Sequence, residues 1–165
     1  MVKLADVYSA LGRIRGGVVY TPCTRSRAFQ DEVPCSLYWK FENLQRTGSF
    51  KDRGALNKLL QLSEAERDRG VVTASAGNHA QAVAYHASRL GVASTVVMPE
   101  FTPLIKVANT RGYGARVIQQ GATLSDGLKE VHRLEEEEGL TLVHAFDDED
   151  VIAGQGTIGL ELLEQ

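Results

Sequence analysis

The chain has 165 residues, of which 43% are apolar and 24% are charged, and its formal net charge is −3. This length and composition fit one domain of ordinary size with a sizeable core. The weak negative charge implies no general affinity for nucleic acid or for anionic membranes, and no apolar run approaches the roughly 20 residues that a membrane-spanning helix needs.

The N-terminal residues and the cysteines indicate a cytoplasmic protein. Residues 1–10 lack the basic and then apolar layout of a signal peptide. Cys23 and Cys35 form neither a CxxC pair nor a metal-ligand spacing, so we interpret them as reduced thiols. The four histidines, at positions 79, 86, 132 and 144, also show no metal spacing, and no metal site is predicted.

Hydrophobic periodicity defines the elements of the first seventy residues. A helix is predicted over 4–14, with Leu4, Val7, Leu11 and Ile14 on one face. A second candidate helix, over 26–33, ends at Pro34. A strand is predicted over 37–41, a helix over 50–62, and Ser63 with Glu66 forms a capping box that starts another short helix.

From Val71 onward, strand and helix patterns alternate at about 20-residue spacing. The predicted strands are 71–74, 94–98, 115–118 and 141–144. The predicted helices are 78–90, 103–111 and 123–138, with inward faces that include Ala80, Val83, Ala84, Ala87, Leu124, Val131 and Leu134, and each is followed by a glycine at the C′ position (Gly91, Gly112, Gly139). Repeated strand–helix–strand units predict an α/β fold, a parallel four-stranded open sheet with crossover helices over 71–145. A further helical segment is predicted over 149–165.

A candidate reactive amine lies at the start of the helix predicted over 50–62. Ser49 is a favoured N-cap residue, which places Lys51 about two residues into the helix. The positive end of the helix dipole and partial burial beside Phe50 both disfavour an ammonium group, so the pKa of Lys51 is expected to be lowered. A neutral amine is a nucleophile. The alternative is an ordinary surface lysine in a first helical turn.

A candidate anion site follows the first strand of the parallel sheet, at residues 73–79. Free backbone N–H groups at the start of a helix attract a carboxylate or a phosphate, Gly77 permits close approach of the backbone, and Asn78 offers a donor and an acceptor. The alternative is that Ser75 and Asn78 only cap the helix.

Three other features have simpler interpretations. Gly154, Gly156 and Gly159 have the spacing of a dinucleotide fingerprint, but they neither follow a strand directly nor precede a suitably placed acid, so we do not interpret them as a nucleotide site. The acidic run 135–138 is predicted to be a solvated helix face. Tyr113 and Phe101 are predicted to pack in the core or at its edge.

Taken together, K-F-E-N-L-Q-R-T-G-S-F-K-D-R-G-A (40–55) and S-A-G-N-H-A-Q (75–81) resemble the threonine dehydratases, which are pyridoxal-phosphate (PLP) enzymes of fold type II. The similarity continues through 96–100, 105–108, 112–115 and 151–162, and covers nearly the whole chain from Val19. The resemblance implies that Lys51 binds PLP covalently and removes the substrate Cα proton, that Phe50 lies against PLP, and that Asn78 bonds its ring hydroxyl. The loop Ser75, Ala76, Gly77, Asn78 and His79 is then expected to bind the substrate carboxylate.

The resemblance also implies an activity and an organisation. L-Threonine gives 2-oxobutanoate and ammonia, L-serine gives pyruvate, the enzyme belongs to amino-acid metabolism such as isoleucine biosynthesis, and it is a cytoplasmic homo-oligomer. Family members have about twice this length, with a glycine-rich phosphate loop and a partner for the pyridine nitrogen in their second half. The chain is therefore expected to be an N-terminal half, inactive alone, with residues 1–43 from a large domain, 44–150 forming a small domain, and 151–165 starting the return to the large domain.

Two alternatives remain at this point. Serine racemases resemble the same family but tend to carry a second serine in the asparagine loop, as a base on the opposite face of the cofactor. This chain has Ala76 there, which cannot exchange a proton. The other alternative is a non-catalytic α/β module that binds small anions at Ser75–His79.

Overall fold

A computed structural model describes residues 1–28 and 32–165 of the chain. Its helices are α1 (Leu4–Ile14), α2 (Lys51–Leu60), α3 (Glu64–Arg69), α4 (Asn78–Arg89), α5 (Leu104–Gly112), α6 (Leu124–Glu138) and α7 (Glu149–Glu164), with a 3₁₀ turn at Glu42–Leu44. Its strands are β1 (Cys23–Arg25), β2 (Tyr38–Lys40), β3 (Val71–Ala74), β4 (Ser94–Met98), β5 (Arg116–Gln119) and β6 (Thr141–Leu142). Within the described residues, no helix is long and apolar enough to span a bilayer.

Four strands form one parallel sheet in the order β5-β4-β3-β6. Val71 of β3 lies opposite Ser94 of β4 on one side and opposite Thr141 of β6 on the other. Both β3 and β4 are buried along their whole length, as is usual for parallel strands that are covered on both faces. The predicted four-stranded parallel α/β layer is confirmed.

The core lies on both faces of this sheet. Alternate residues of β3 pack in different clusters, Val71 with α2 and α4, and Val72 with α6, because successive side chains of a strand point to opposite faces. The predicted inward faces are confirmed by the buried side chains of Ala80, Val83, Ala84, Ala87, Val131 and Leu134. The side chain of Leu124 lies outside the described part of the structure.

The N-terminal region contains a strand that periodicity did not predict. The strand predicted over 37–41 is β2 (Tyr38–Lys40), and it pairs antiparallel with β1, so that Thr24 lies opposite Trp39. The candidate helix over 26–33 is wrong for residues 26–28 and 32–33, which adopt turns, bends and irregular backbone, while residues 29–31 lie outside the described residues.

Three expectations about single residues are corrected by the structure. Leu4 belongs to α1 as predicted but is 63% exposed, and Phe101 is 83% exposed rather than packed. Gly112 is the last residue of α5 instead of its C′ residue, and the positive φ that ends this turn belongs to Gly114 (93°). Gly91 and Gly139 do have the positive φ expected after α4 and α6.

The glycine spacing at 154–159 lies inside α7, where it serves helix packing. A Cβ atom on Gly154 would lie 2.7 Å from the carbonyl oxygen of Arg53 and 2.7 Å from the Cα of Gly54. Helices α2 and α7 therefore cross closely at Gly54 and Gly154. This packing role agrees with the interpretation that the glycines of α7 do not form a nucleotide site.

A buried cluster of charges joins α2 to α7 and to the N-terminal region. The guanidinium of Arg53 is fully buried and forms paired hydrogen bonds to Glu42 (2.8 and 2.8 Å) and to Glu161 (2.6 and 2.8 Å). Lys40 also donates to Glu161 at 2.5 Å. Two cations and two carboxylates compensate one another, so this cluster fixes the start of α2, which carries Lys51.

Candidate functional site

A cavity of about 520 Å³ lies at the carboxyl edge of the parallel sheet. It is bounded by the residues that follow β3, β4 and β6 and by the first turns of α2 and α4, which is where ligands bind in open parallel sheets. The lining residues are Ser49, Phe50, Lys51, Ala74, Ser75, Ala76, Asn78, His79, Pro99, Ala145 and Phe146.

The amine of Lys51 is held within this cavity by a backbone acceptor. Its Nζ donates a hydrogen bond to the carbonyl oxygen of Ala145 at 2.7 Å and lies 5.1 Å from the centre of the Phe50 ring. Burial lowers the pKa of Lys51, and the positive end of α2 disfavours the ammonium in the same sense. A larger share of neutral amine follows, as the sequence predicts for a reactive lysine.

The start of α2 differs slightly from the prediction. Lys51 is the first helical residue and Phe50 flanks it, so Lys51 lies closer to the helix end than expected. Ser49 does not bond deeper into the helix, but its Oγ accepts the N–H of Lys51 at 3.2 Å.

Asp52 fixes the start of α2 to the turn that precedes it. Its carboxylate accepts the backbone N–H of Thr47 at 3.0 Å and the hydroxyl of Thr47 at 2.6 Å. Its Oδ1 also lies 3.5 Å from Nε2 of the buried His86 on α4. Burial alone raises the pKa of Asp52, but the approach of His86 and the bonds from Thr47 outweigh it, and the pKa is lowered. An ionised carboxylate therefore fixes the turn that presents Lys51.

The loop between β3 and α4 faces Lys51 across the cavity. Ser75 Oγ accepts the N–H of Gly77 at 3.2 Å, and no side chain among the described residues caps the N-terminus of α4. Asn78 is exposed, and its side-chain amide has no hydrogen-bond partner in the described part of the chain. The interpretation of Ser75 and Asn78 as mere helix caps is therefore wrong, and the first turn of α4 retains free donors for an anion.

His79 is buried in the wall of the cavity as a neutral ring. Its side chain is 3% exposed, and Nε2 lies 3.0 Å from the carbonyl oxygen of Val143. Burial lowers the pKa of His79 to about 4. Because a carbonyl only accepts, Nε2 carries the proton and Nδ1 is a bare, buried acceptor.

The structure brings together six of the seven residues that the sequence indicates as site residues: Phe50, Lys51, Ser75, Ala76, Asn78 and His79. Gly77 does not line the cavity and is the N-cap residue of α4. The sequence reasoning missed Pro99, Ala145 and Phe146. All three follow strands that flank β3. The rule that ligands bind at the carboxyl edge of a parallel sheet would therefore have indicated them. Within the described residues, no group of three or more potential ligands could hold a metal ion.

Comparison with known proteins shows the family of this chain. A family model described as "Pyridoxal-phosphate dependent enzyme" matches residues 14–165. The chain is 47% identical to the L-threonine ammonia-lyase of Thermotoga maritima and 45% identical to the catabolic L-threonine dehydratase of Escherichia coli, over 99% of its own length. These alignments cover 41% and 50% of the two relatives, so the chain spans about half the length of the curated relatives it matches.

Solved structures show the same relationship. The chain resembles the threonine deaminase of T.th. with a TM-score of 0.90 and 48% identity, and the serine racemase of Dictyostelium discoideum with a TM-score of 0.92 and 43% identity. Each comparison covers 99% of this chain, and 51% and 53% of the other. The predicted fold type is confirmed by these PLP enzymes of fold type II.

The residues of the cavity fit the reactive part of PLP. Lys51 supplies the primary amine, and the unpartnered amide of Asn78 can bond a ring hydroxyl. The volume is within the roughly 300–1,000 Å³ usual for small-molecule sites. Lys51 is the one cation among the described lining residues, and the free N–H groups of α4 are expected to bind the substrate carboxylate, so the phosphate needs donors beyond this set.

Proposed function

Because the chain belongs to the pyridoxal-phosphate dependent enzyme family, we propose that it is the lysine-bearing part of an L-threonine dehydratase. The net reaction converts L-threonine into 2-oxobutanoate and ammonia, since the water lost by elimination is returned by hydrolysis. L-Serine is the second substrate and gives pyruvate. The observation that carries the proposal is that the amine of Lys51, with its lowered pKa, shares one cavity with the Ser75–His79 loop.

Lys51 has two proposed tasks. Its Nζ would hold PLP covalently through the cofactor's aldehyde carbon, and as a neutral amine it would accept the Cα proton of the substrate. When bound, PLP supplies an electron sink for the carbanion. The lowered pKa serves the second task, because only a neutral amine accepts a proton. The carbonyl of Ala145 orients Nζ, and this bond fixes the direction from which the amine acts.

The loop that follows β3 is proposed to hold the substrate carboxylate. The free N–H groups of the first turn of α4 and the dipole of that helix favour an anion, and Ser75 adds a hydroxyl at the edge of the cavity. Asn78 is proposed to bond the ring hydroxyl of PLP, and Phe50 to lie against its ring. The uncharged ring of His79 adds no repulsion toward the protonated forms of Lys51.

A racemase is the second candidate, because the serine racemase of Dictyostelium discoideum has a similar structure. Inversion requires a proton-transferring group on each face of the substrate Cα, one to remove the proton and one to return it, whereas elimination requires Lys51 alone. Ala76 lines the cavity where the second group is expected, and a methyl group transfers no proton. This side chain favours the dehydratase.

Covalent labelling tests the role of Lys51. The chain is incubated with PLP, reduced with sodium borohydride, and digested, and the modified peptide is identified by mass spectrometry. We expect the label on Lys51 and its loss in Lys51→Ala. Lys58→Ala is the matched control, because Lys58 lies on the same helix and its pKa is raised, since Asp148 and Asp150 outweigh the lowering effect of its burial. Labelling that persists in Lys51→Ala contradicts the assignment.

A chimera tests the activity. This chain replaces the matching segment of the Thermotoga maritima L-threonine ammonia-lyase, to which it is 47% identical, and 2-oxobutanoate is measured after addition of L-threonine. We expect turnover that disappears with Lys51→Ala. A folded chimera that binds PLP but releases no 2-oxo acid favours the non-catalytic anion-binding module.

We extend the proposal to the organisation of the longer enzyme. Residues 1–43 and 151–165 are assigned to a large domain and 44–150 to a small one, and the enzyme is proposed to be a cytoplasmic homo-oligomer of amino-acid metabolism such as isoleucine biosynthesis. The free thiols of Cys23 and Cys35 support a reducing compartment.

A further inference from the structure

Two hydrogen bonds to one short segment connect the start of α4 with the reactive amine. Nε2 of His79 lies 3.0 Å from the carbonyl oxygen of Val143. Nζ of Lys51 donates to the carbonyl oxygen of Ala145 at 2.7 Å. Val143 and Ala145 are two residues apart in the segment that follows β6, so a shift at one carbonyl moves the other.

The segment that carries these carbonyls is held at its start, where the side chain of Val143 is fully buried against α2 and α4. The N–H of Val143 continues the pairing with β3 through the carbonyl of Val72, at 2.9 Å. Beyond it, His144 Nδ1 accepts the N–H groups of Phe146 (3.3 Å) and Asp147 (2.8 Å), which are contacts within the segment itself. Apart from the bond that Lys51 itself donates to Ala145, the bond from His79 is the side-chain hydrogen bond, among the described residues, that ties this backbone to the wall of the cavity.

We propose that His79 is a positioning residue for Lys51. By holding the carbonyl of Val143, it keeps the carbonyl of Ala145 at the amine and keeps the segment closed over Nζ against water. The inference rests on the proposed function in that Lys51 is taken as the reacting amine. The buried Nδ1, which has no partner among the described residues, fits this role because the ring donates in one direction only.

Two variants separate donation from mere packing. In His79→Gln, the side-chain amide reaches the place of Nε2 and keeps a donor for Val143. In His79→Asn, the amide is one carbon shorter and cannot reach. The 165-residue chain without PLP is treated with acetic anhydride over a pH series, and the acetylation of Lys51 is followed by mass spectrometry. Lys129, whose side chain is 79% exposed, serves as the internal control.

We expect the pH midpoint of Lys51 acetylation to rise in His79→Asn and to stay at the wild-type value in His79→Gln. The midpoint rises because burial is what lowers the pKa of Lys51, and a loosened segment admits water. A shift of about half a pKa unit corresponds to about threefold less free amine at pH 8. Hydrogen exchange at Phe146 and Asp147 is expected to accelerate in His79→Asn alone.

Equal midpoints in the wild-type chain and a folded His79→Asn variant overturn the inference, as does a His79→Gln variant that behaves like His79→Asn. If His79→Asn does not fold, long-range ¹H–¹⁵N spectra of the wild-type chain decide. A proton on Nε2 of His79 is expected, and a ring protonated on Nδ1 alone refutes the bond to Val143. Because PLP is absent throughout, these results do not depend on whether the chain serves a dehydratase.

Discussion

Removal of the Arg53 guanidinium tests how the buried charges hold α2 in place. In Arg53→Met, Glu161 keeps the hydrogen bond from Lys40 at 2.5 Å. Glu42 keeps the Thr21 hydroxyl at 2.6 Å and the amide of Gln45 at 3.2 Å, and no other cation of the described residues contacts it. The Glu42 side chain is 13% exposed, so leaving its carboxylate without a cation is expected to cost up to about 3 kcal/mol of the free energy of unfolding, the lower end of the range for buried ions.

Urea unfolding followed by circular dichroism measures this loss. The matched control is Arg116→Met, because Arg116 forms an exposed ion pair with Glu138 at 2.9 Å, and its removal is expected to change the free energy of unfolding by less than about 1 kcal/mol. The double variant Arg53→Met/Glu42→Gln removes the stranded charge and is expected to recover at least about 1 kcal/mol.

The pH dependence of the same cluster follows from Glu42. Burial alone raises the pKa of Glu42, but hydrogen bonds from Arg53 and Thr21 outweigh it, so its pKa in the folded chain is below the ordinary value of 4.5. Its contribution to stability is therefore complete above pH 4.5 and is lost as the pH falls through the folded value. An Arg53→Met variant as stable as the wild type at about pH 7 refutes the argument that these charges fix α2.

Four further predictions concern packing, reaction type, protonation and cofactor binding. Gly154→Ala is expected to destabilise the chain by about 1–3 kcal/mol in urea unfolding, because the new methyl group meets the backbone of α2; Gly159→Ala, whose Cβ meets nothing within 4 Å, is the control and is expected to be neutral or slightly stabilising. In the chimera, Ala76→Ser is expected to raise the formation of D-serine from L-serine, and abundant D-serine without the substitution contradicts the dehydratase. Stability is expected to fall as the pH drops from about 6.5 to about 4, by at most about 3 kcal/mol from His79, because its pKa in the fold is depressed and the unfolded chain takes up the proton first; a His79→Gln variant with the same pH profile contradicts this. PLP is expected to be lost from the chain on dialysis, because the described cavity offers no second cation for the phosphate, and stoichiometric PLP after dialysis shows that the reasoning is wrong.

The parallel sheet could be predicted because its strands and helices have clear periodicities. Buried β-branched runs such as 71–74 alternate with long amphipathic helices, and the chain connections then permit few topologies. Strand β1 has three residues and pairs with a strand more than ten residues away, so its pattern is too short to stand out. Gly112 and Gly114 are both plausible ends for α5, and the sequence does not show which of them takes the positive φ.

The side chains of the site could be predicted, but their partners could not. Lys51, Asn78 and the loop residues have types and positions that indicate chemistry. The acceptor of the Lys51 amine is a backbone carbonyl, which every residue possesses, so Ala145 has no signal of its own in the sequence. The bond from His79 to Val143 joins residues 64 positions apart, and its acceptor is again a backbone carbonyl, so the sequence does not indicate it either.

The geometry of the cavity makes the two proposed tasks, binding a substrate carboxylate and keeping the Lys51 amine neutral, compatible with each other. The first turns of α2 and α4 both border the cavity, so two positive helix ends act on whatever lies within it. They stabilise a carboxylate bound at the Ser75–His79 loop and at the same time disfavour the ammonium form of Lys51. A protonated His79 would further stabilise a carboxylate at this loop, but its burial keeps it neutral. The backbone N–H groups of α4 are therefore the donors for the carboxylate. In the proposed dehydratase, the field that binds the substrate carboxylate therefore also keeps Lys51 able to accept the Cα proton.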